Sequence, residues 1–177
     1  MVLIAKLLFL ALTAAATPIF RRDVVTVEND ITQKIGPQLT TLNNDVRGYP
    51  ASGSSGAHAI HGDFETLVTI VDSTIRDIKS TGSFGTVSGT TILANIQELL
   101  PTFLDILVEI GLQEPSWALV QGGRELVLSD LHSLNTAMDN FMNAITAAEP
   151  FLLKAGSLAV KVQLDGGFIT AIAAYST

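Results

Sequence analysis

The residues able to do chemistry in this chain are few. Two histidines, His58 and His61 in "HAIH", stand close together with Asp63 just beyond, a spacing that could begin a metal site. The stretch around them, "GYPASGSSGAHAIHGD", is rich in glycine and serine and has no apolar period, so it is predicted to be a loop. Such a loop holds no ligand pair rigidly, and the only other histidine, His132, lies far along the chain. Serine hydrolysis needs a nucleophile on a G-x-S-x-G turn, and "GSSG" and "GTVSG" have the wrong spacing. The glycine pairs lack the lysine of a phosphate loop. There is no cysteine, which removes disulfides, thiol catalysis and cysteine zinc sites. The carboxylates read as solvated charges on helix faces rather than as acid–base pairs. No catalytic residue, metal or cofactor is expected.

Three polar residues fall on apolar faces instead. Helical spacing puts Gln97 in line with Leu93, Leu100 and Leu104, Asp130 between Val127 and Leu134, and Lys154 beside Phe151 and Leu158. Each can snorkel to a rim or cap a backbone group, the reading preferred for Asp130. Gln97 or Lys154 can alternatively anchor the polar head of an oily ligand, since binding sites combine apolar walls with a few placed polar groups.

The elements that would position them are helices. Segment 23–47 carries Val24, Val27, Ile31, Ile35, Leu39, Leu42 and Val46 in one stripe, with Gly36-Pro37 predicting a kink. Segment 62–80 has Asp63 as a cap and Phe64, Leu67, Val68, Val71, Ile75 and Ile78 on one side. Segment 92–112, "ILANIQELLPTFLDILVEIGL", is apolar nearly all round, with Pro101 predicted to bend it. A short helical turn around Trp117 comes next, and then segment 124–147, with Val127, Leu131, Leu134, Met138, Phe141 and Ile145 in one line. The last segment, 150–174, has two apolar faces: Phe151, Leu158, Val162, Ile169 and Ile172, and Leu153, Val160, Leu164 and Phe168. Nothing alternates over a strand's length, so the fold class is all-α, a bundle of five helices. The third and fifth, oily on most sides, are expected innermost. A membrane span for 92–112 is disfavoured by Glu98, Asp105 and Glu109, each costing about 2 kcal/mol or more at bilayer depth.

The 177 residues suit one domain. Hydrophobic residues make up 47% and charged residues only 15%, an oily balance for a soluble chain. Residues 1–16 read as a secretory signal peptide: Lys6 within a short apolar run, then Ala14-Ala15-Ala16. Residues 17–22 form a short propeptide or linker ending in Arg21-Arg22, either a dibasic processing site or an ordinary charged flank. Residues 23–177 are then a single helical-bundle domain. Cleavage before Asp23 removes Lys6, Arg21 and Arg22 and no acid, so Lys+Arg falls from 10 to 7 against 17 Asp+Glu and the net charge goes from −7 to −10. An acidic surface with no basic patch argues against nucleic acid.

The leader, the dibasic "RRD", the helix "DVVTVENDITQKIGPQLTTLNNDV", the Gly/Ser loop, the long "ELVLSDLHSLNTAMDNFMNAI" and the terminal "FITAIAAY" together make the chain resemble the fungal hydrophobic surface-binding protein A family. That family includes the cell-wall galactomannoproteins, and the resemblance covers essentially all of the mature chain. It implies a secreted or wall-associated five-helix bundle with an apolar interior cavity or tunnel. Some members adsorb to hydrophobic surfaces and recruit a polyester-degrading hydrolase, and others enclose fatty acids. The partners expected are therefore a long-chain fatty acid or other apolar ligand, hydrophobic surfaces, and a secreted hydrolase, with no transmembrane segment in the mature chain. The expected walls are Leu67, Val71, Ile75, Ile96, Leu100, Phe103, Leu134, Phe141, Leu158 and Phe168, with Gln97 or Lys154 at the head. Two other readings stand beside the carrier: an adsorber whose helices open and lay their apolar faces on a surface, and a structural or antigenic wall component with no ligand.

Overall fold

The structure, a computed structural model, describes residues 20–176. The expected signal peptide, 1–16, lies outside the described residues, as do residues 17–19 of the expected propeptide. Helix α1 (Phe20–Asn29) passes without a break into a π turn (Asp30–Ile35) and on into α2 (Gly36–Gly48), forming one long rod. Then come α3 (Gly53–Thr81), α4 (Thr86–Leu112), the one-turn α5 (Glu114–Trp117), α6 (Gly123–Ala148) and α7 (Lys154–Tyr175). Among the described residues there is no strand, in line with the all-α expectation, and the long rods number five.

A π turn stands where the kink was expected. Pro37 has no N–H, and in a regular helix its ring would strike the carbonyl four residues back. A wider turn just upstream relieves the clash, and the N–H of Gly36 reaches back five residues to the Ile31 carbonyl. Pro101 likewise breaks nothing. It stands exposed on an uninterrupted α4, where the bond it cannot make faces away from the core.

The Gly/Ser stretch expected as a loop is mostly helix, because α3 already starts at Gly53. Ala57 and Ile60 extend the stripe of Phe64, Leu67 and Val71 backwards at helical spacing, and both are buried. Burial of that face overrides the poor helix propensity of glycine and serine.

The rods form a closed ring, each packing chiefly against two neighbours. The first rod touches α3 and α4, α3 touches α6, α6 touches α7, and α7 returns to α4. No rod is central, which corrects the expectation that the third and fifth helices sit innermost. By length and hydropathy α4 and α7 could each cross a membrane. Here each turns one apolar face into the ring and leaves part of the other uncovered. On α7 the face of Val160, Leu164, Phe168 and Tyr175 is buried, while Leu158, Val162 and Ile169 are exposed. Small residues bring these two helices close together. A methyl added at Gly156 would lie 2.7 Å from Leu93 Cδ2, and one at Gly89 would lie 2.8 Å from Leu153 Cδ1.

Candidate functional site: an apolar seam inside the ring

Five rods spaced roughly 8–10 Å apart place their common axis about 7–8.5 Å from each rod's own axis, beyond the roughly 5–6 Å half-width of a helix with its side chains. Long apolar side chains or an apolar guest must fill the difference. In this chain the axial space is a seam walled by four of the five rods. Ile31 and Ile35 of the π turn and Leu39 of α2 face Ile96, Leu99, Leu100 and Phe103 of α4. Met138 and Phe141 of α6 and Val160 and Leu164 of α7 complete the wall. Every lining residue is apolar, and all are buried except the half-buried Leu99 and Leu100, which mark where the seam approaches the surface.

The space left open is about 20 Å³, room for one water molecule. Sites that hold drug-sized ligands run to roughly 300–1,000 Å³. The expected cavity or tunnel does not stand open here: the seam has the expected apolar chemistry, but an acyl chain would fit only if the walls parted.

Of the residues expected to line the site, Ile96, Leu100, Phe103 and Phe141 meet in the seam. Phe168 stands behind it, its ring edge-on to Phe103 at 5.7 Å between centroids. Leu67, Val71 and Ile75 of α3 and Leu134 of α6 are buried in the surrounding core, outside this lining. Leu158 is 49% exposed, on the outward face of α7. Gln97 is exposed and Lys154 half-buried at the start of α7; neither is part of the wall. Ile31, Ile35, Leu39, Leu99, Met138, Val160 and Leu164 were not foreseen. For α7 a usable signal existed: the stripe Val160, Leu164, Phe168, Ala171, Tyr175 is the longer unbroken one.

The polar residues serve the frame. His61 and Asp130 are neither loop-borne nor at a rim, for the His61 Nδ1–H donates to both oxygens of the buried Asp130, at 3.0 and 2.9 Å, joining α3 to α6. Hydrogen bonding to Asp130 raises the pKa of His61 above the usual histidine value against a smaller opposing effect of burial, and burial raises that of Asp130. The Nδ1–H of His58 donates to the Ser54 carbonyl of its own helix at 2.7 Å. Among the described residues no set of three acids and histidines could hold a metal. On the π turn, Asp30 is buried and paired with Lys34, and its carboxyl neighbours that of Asp77 on α3; burial, then Asp30, raises the pKa of Asp77. At the far end of the first rod, Tyr49 stacks on Trp117 at 4.5 Å and donates through its hydroxyl to the Ser116 carbonyl. Gln113 Nε2 donates to the carbonyls of Val46 and Tyr49, at 2.6 and 3.1 Å.

Comparison with known proteins places this ring in context. Residues 24–147 match the family described as Hydrophobic surface binding protein A. No curated protein sequence matches the chain. Among solved structures, the AfMP4p protein in complex with palmitic acid superposes with a TM-score of 0.80 at 23% identity, over 86% of this chain and 99% of that one. Ligand binding domain 1 of the Penicillium marneffei MP1 protein, complexed with arachidonic acids, gives 0.79 at 15% identity, over 87% and 99% of the two chains. Its ligand binding domain 2, in complex with arachidonic acids, gives 0.76 at 16%, over 86% and 94%. At these identities the likeness is one of fold.

Proposed function

Because the chain belongs to the Hydrophobic surface binding protein A family, we propose that it is a secreted, non-catalytic binder that holds a long-chain fatty acid or similar apolar ligand inside its ring of helices. The observation that carries this reading is the seam, which is lined only by apolar side chains and lies along the axis of a ring with no central helix. The fatty acids bound by the structurally similar proteins support the same class of ligand. Each methylene removed from water contributes about 0.8 kcal/mol, so a long acyl chain gains on the order of 10 kcal/mol before ordering costs. That is enough to offset the parting of close-packed walls. With no polar side chain in the wall, selectivity rests on chain shape, and the carboxylate stays at the mouth near Leu99 and Leu100.

The test is direct. Purified protein is extracted with organic solvent and searched for co-purified fatty acid by mass spectrometry, and delipidated protein is titrated with palmitate in a calorimeter. Saturable binding of about one ligand per chain is the expected result. A protein that carries no lipid and takes up none would end this reading.

A second reading has its own observation. The outward face of α7 exposes Leu158, Val162 and Ile169, and the turn before it exposes Phe151 and Leu152, at 86% and 82%. Beside it Lys161 pairs with Asp165 of the same helix and with Asp139 of α6, so neither of the two charges nearest that face stands alone. Such a face suits adsorption to an apolar surface without unfolding. Loss of protein from solution onto polystyrene beads, with helical circular dichroism retained, is the result this reading expects.

A further inference from the structure

The closed seam poses a mechanical question: which wall moves? The seam approaches the surface at Leu99 and Leu100 of α4, and the wall facing them there is the π turn and the residue after it. A methyl on Gly36 would lie 3.3 Å from Leu99 Cδ2, so rod and α4 meet at that lip. We propose that the π turn Asp30–Ile35, together with Pro37, is a hinged wall segment that bows away from α4 to admit an acyl chain.

Beyond the turn, α2 is fastened at its end by the Tyr49–Trp117 stack and by the hydrogen bonds of Tyr49 and Gln113. The turn packs against both α3 and α4, and the Lys34 that pairs with Asp30 lies on the turn itself, so that ion pair can move with it. Towards the seam the turn presents Ile31 and Ile35, apolar side chains that lose no directional bond when they move. The backbone is weakest at the same place. Pro37 donates no hydrogen bond, and the π ladder around Gly36 replaces the regular one. Outward bowing of the turn, away from α4, withdraws Ile31 and Ile35 from the seam while the α2 anchor stays in place. This inference rests on the lipid reading and adds the route by which the ligand enters.

The experiment uses the whole domain and the variant Pro37→Ala. Pro37 is exposed and helical, so alanine there restores a donor without disturbing the core. One added hydrogen bond makes the opening rarer by about threefold to tenfold. Stopped-flow uptake and release of the fluorescent fatty acid cis-parinaric acid should therefore both slow by that factor, with the equilibrium affinity unchanged. Hydrogen exchange without ligand gives an independent readout: in the parent the amides of residues 34–36 and 38 should exchange faster than those of mid-α6, and slow in the variant. Unchanged rates in Pro37→Ala, or those four amides in the parent as protected as mid-α6, would overturn the hinge. If the parent fails to bind cis-parinaric acid at all, the lipid reading falls, and the exchange comparison still judges the hinge.

Discussion

The imidazole of His61 lies between α3 and α6 with Nδ1 on both oxygens of Asp130, at 3.0 and 2.9 Å, while its Nε2 faces Glu65 at 3.6 Å. A side chain from the most glycine-rich part of the sequence thus fixes the start of α3 against the helix beside it in the ring. The bond works because Asp130 is buried, leaving its carboxylate no comparable partner in water.

This pair should make stability depend on pH. Hydrogen bonding to Asp130 raises the folded-state pKa of His61, outweighing burial. A raised pKa contributes stability that is complete below the unfolded value, about 6.5, and is lost as pH rises through the folded one. Burial raises the Asp130 pKa too, which acts in the same direction. Thermal melts between about pH 5 and pH 9 should show the parent's Tm falling above about pH 6.5. His61→Gln should flatten that slope while lowering Tm at the acid end. Parallel curves for parent and variant would show that the pair carries no such linkage.

The seam can be widened from within. Leu164 is 3% exposed and lines it, so Leu164→Ala removes methylenes from a site that collapses only in part and should cost about 2–4 kcal/mol in urea unfolding. Saturating fatty acid should recover more stability in the variant than in the parent, because the ligand fills the vacated space. Equal gains in the two proteins would mean that ligand and Leu164 do not share a cavity.

How much of this was legible in the sequence depends on what each residue's partner was. The stripes of the first rod, of α3 from Phe64 onward and of α6 are single faces, so periodicity alone located both the helices and their buried sides. Residues 53–62 were misread because their helix is held by contacts distant in sequence, Ala57 and Ile60 in the core and His61 on Asp130, which outweigh local propensity. For α7 the period gives two apolar faces that only the unbroken run Val160, Leu164, Phe168, Ala171, Tyr175 ranks, and without that ranking Leu158 falls in the wall and Val160 and Leu164 outside it. The ring was invisible for a related reason. All-round hydrophobicity in α4 and α7 reads as a central position, whereas their outer faces simply remain uncovered.

Those outer faces can be altered without touching the interior. Leu158, Val162 and Ile169 are 49%, 69% and 69% exposed, so Leu158→Ser, Val162→Ser and Ile169→Ser should each change stability by no more than about 0.5 kcal/mol. The triple variant should lose most of its adsorption to polystyrene and keep its uptake of fatty acid. Loss of both activities together would mean that one surface serves them jointly. Retained adsorption would move the adhesive face elsewhere, with Phe151 and Leu152 next to be replaced.

The adjacent glycines of α7 separate propensity from packing. A methyl on Gly166 would meet nothing within 4 Å, whereas one on Gly167 would lie 2.9 Å from Leu107 Cδ1 and 3.1 Å from Leu104 Cδ2. Gly166→Ala should therefore stabilise by about 0.5–1 kcal/mol, the ordinary gain of alanine over glycine within a helix. Gly167→Ala makes the same gain but forces two leucines of α4 outward, and overpacking of that kind costs about 1–3 kcal/mol. Its net effect should be a loss, read as a lower urea midpoint with an unchanged slope. If both variants stabilise alike, Leu104 and Leu107 yield freely, and the close approach of α4 and α7 does not depend on glycine at that crossing.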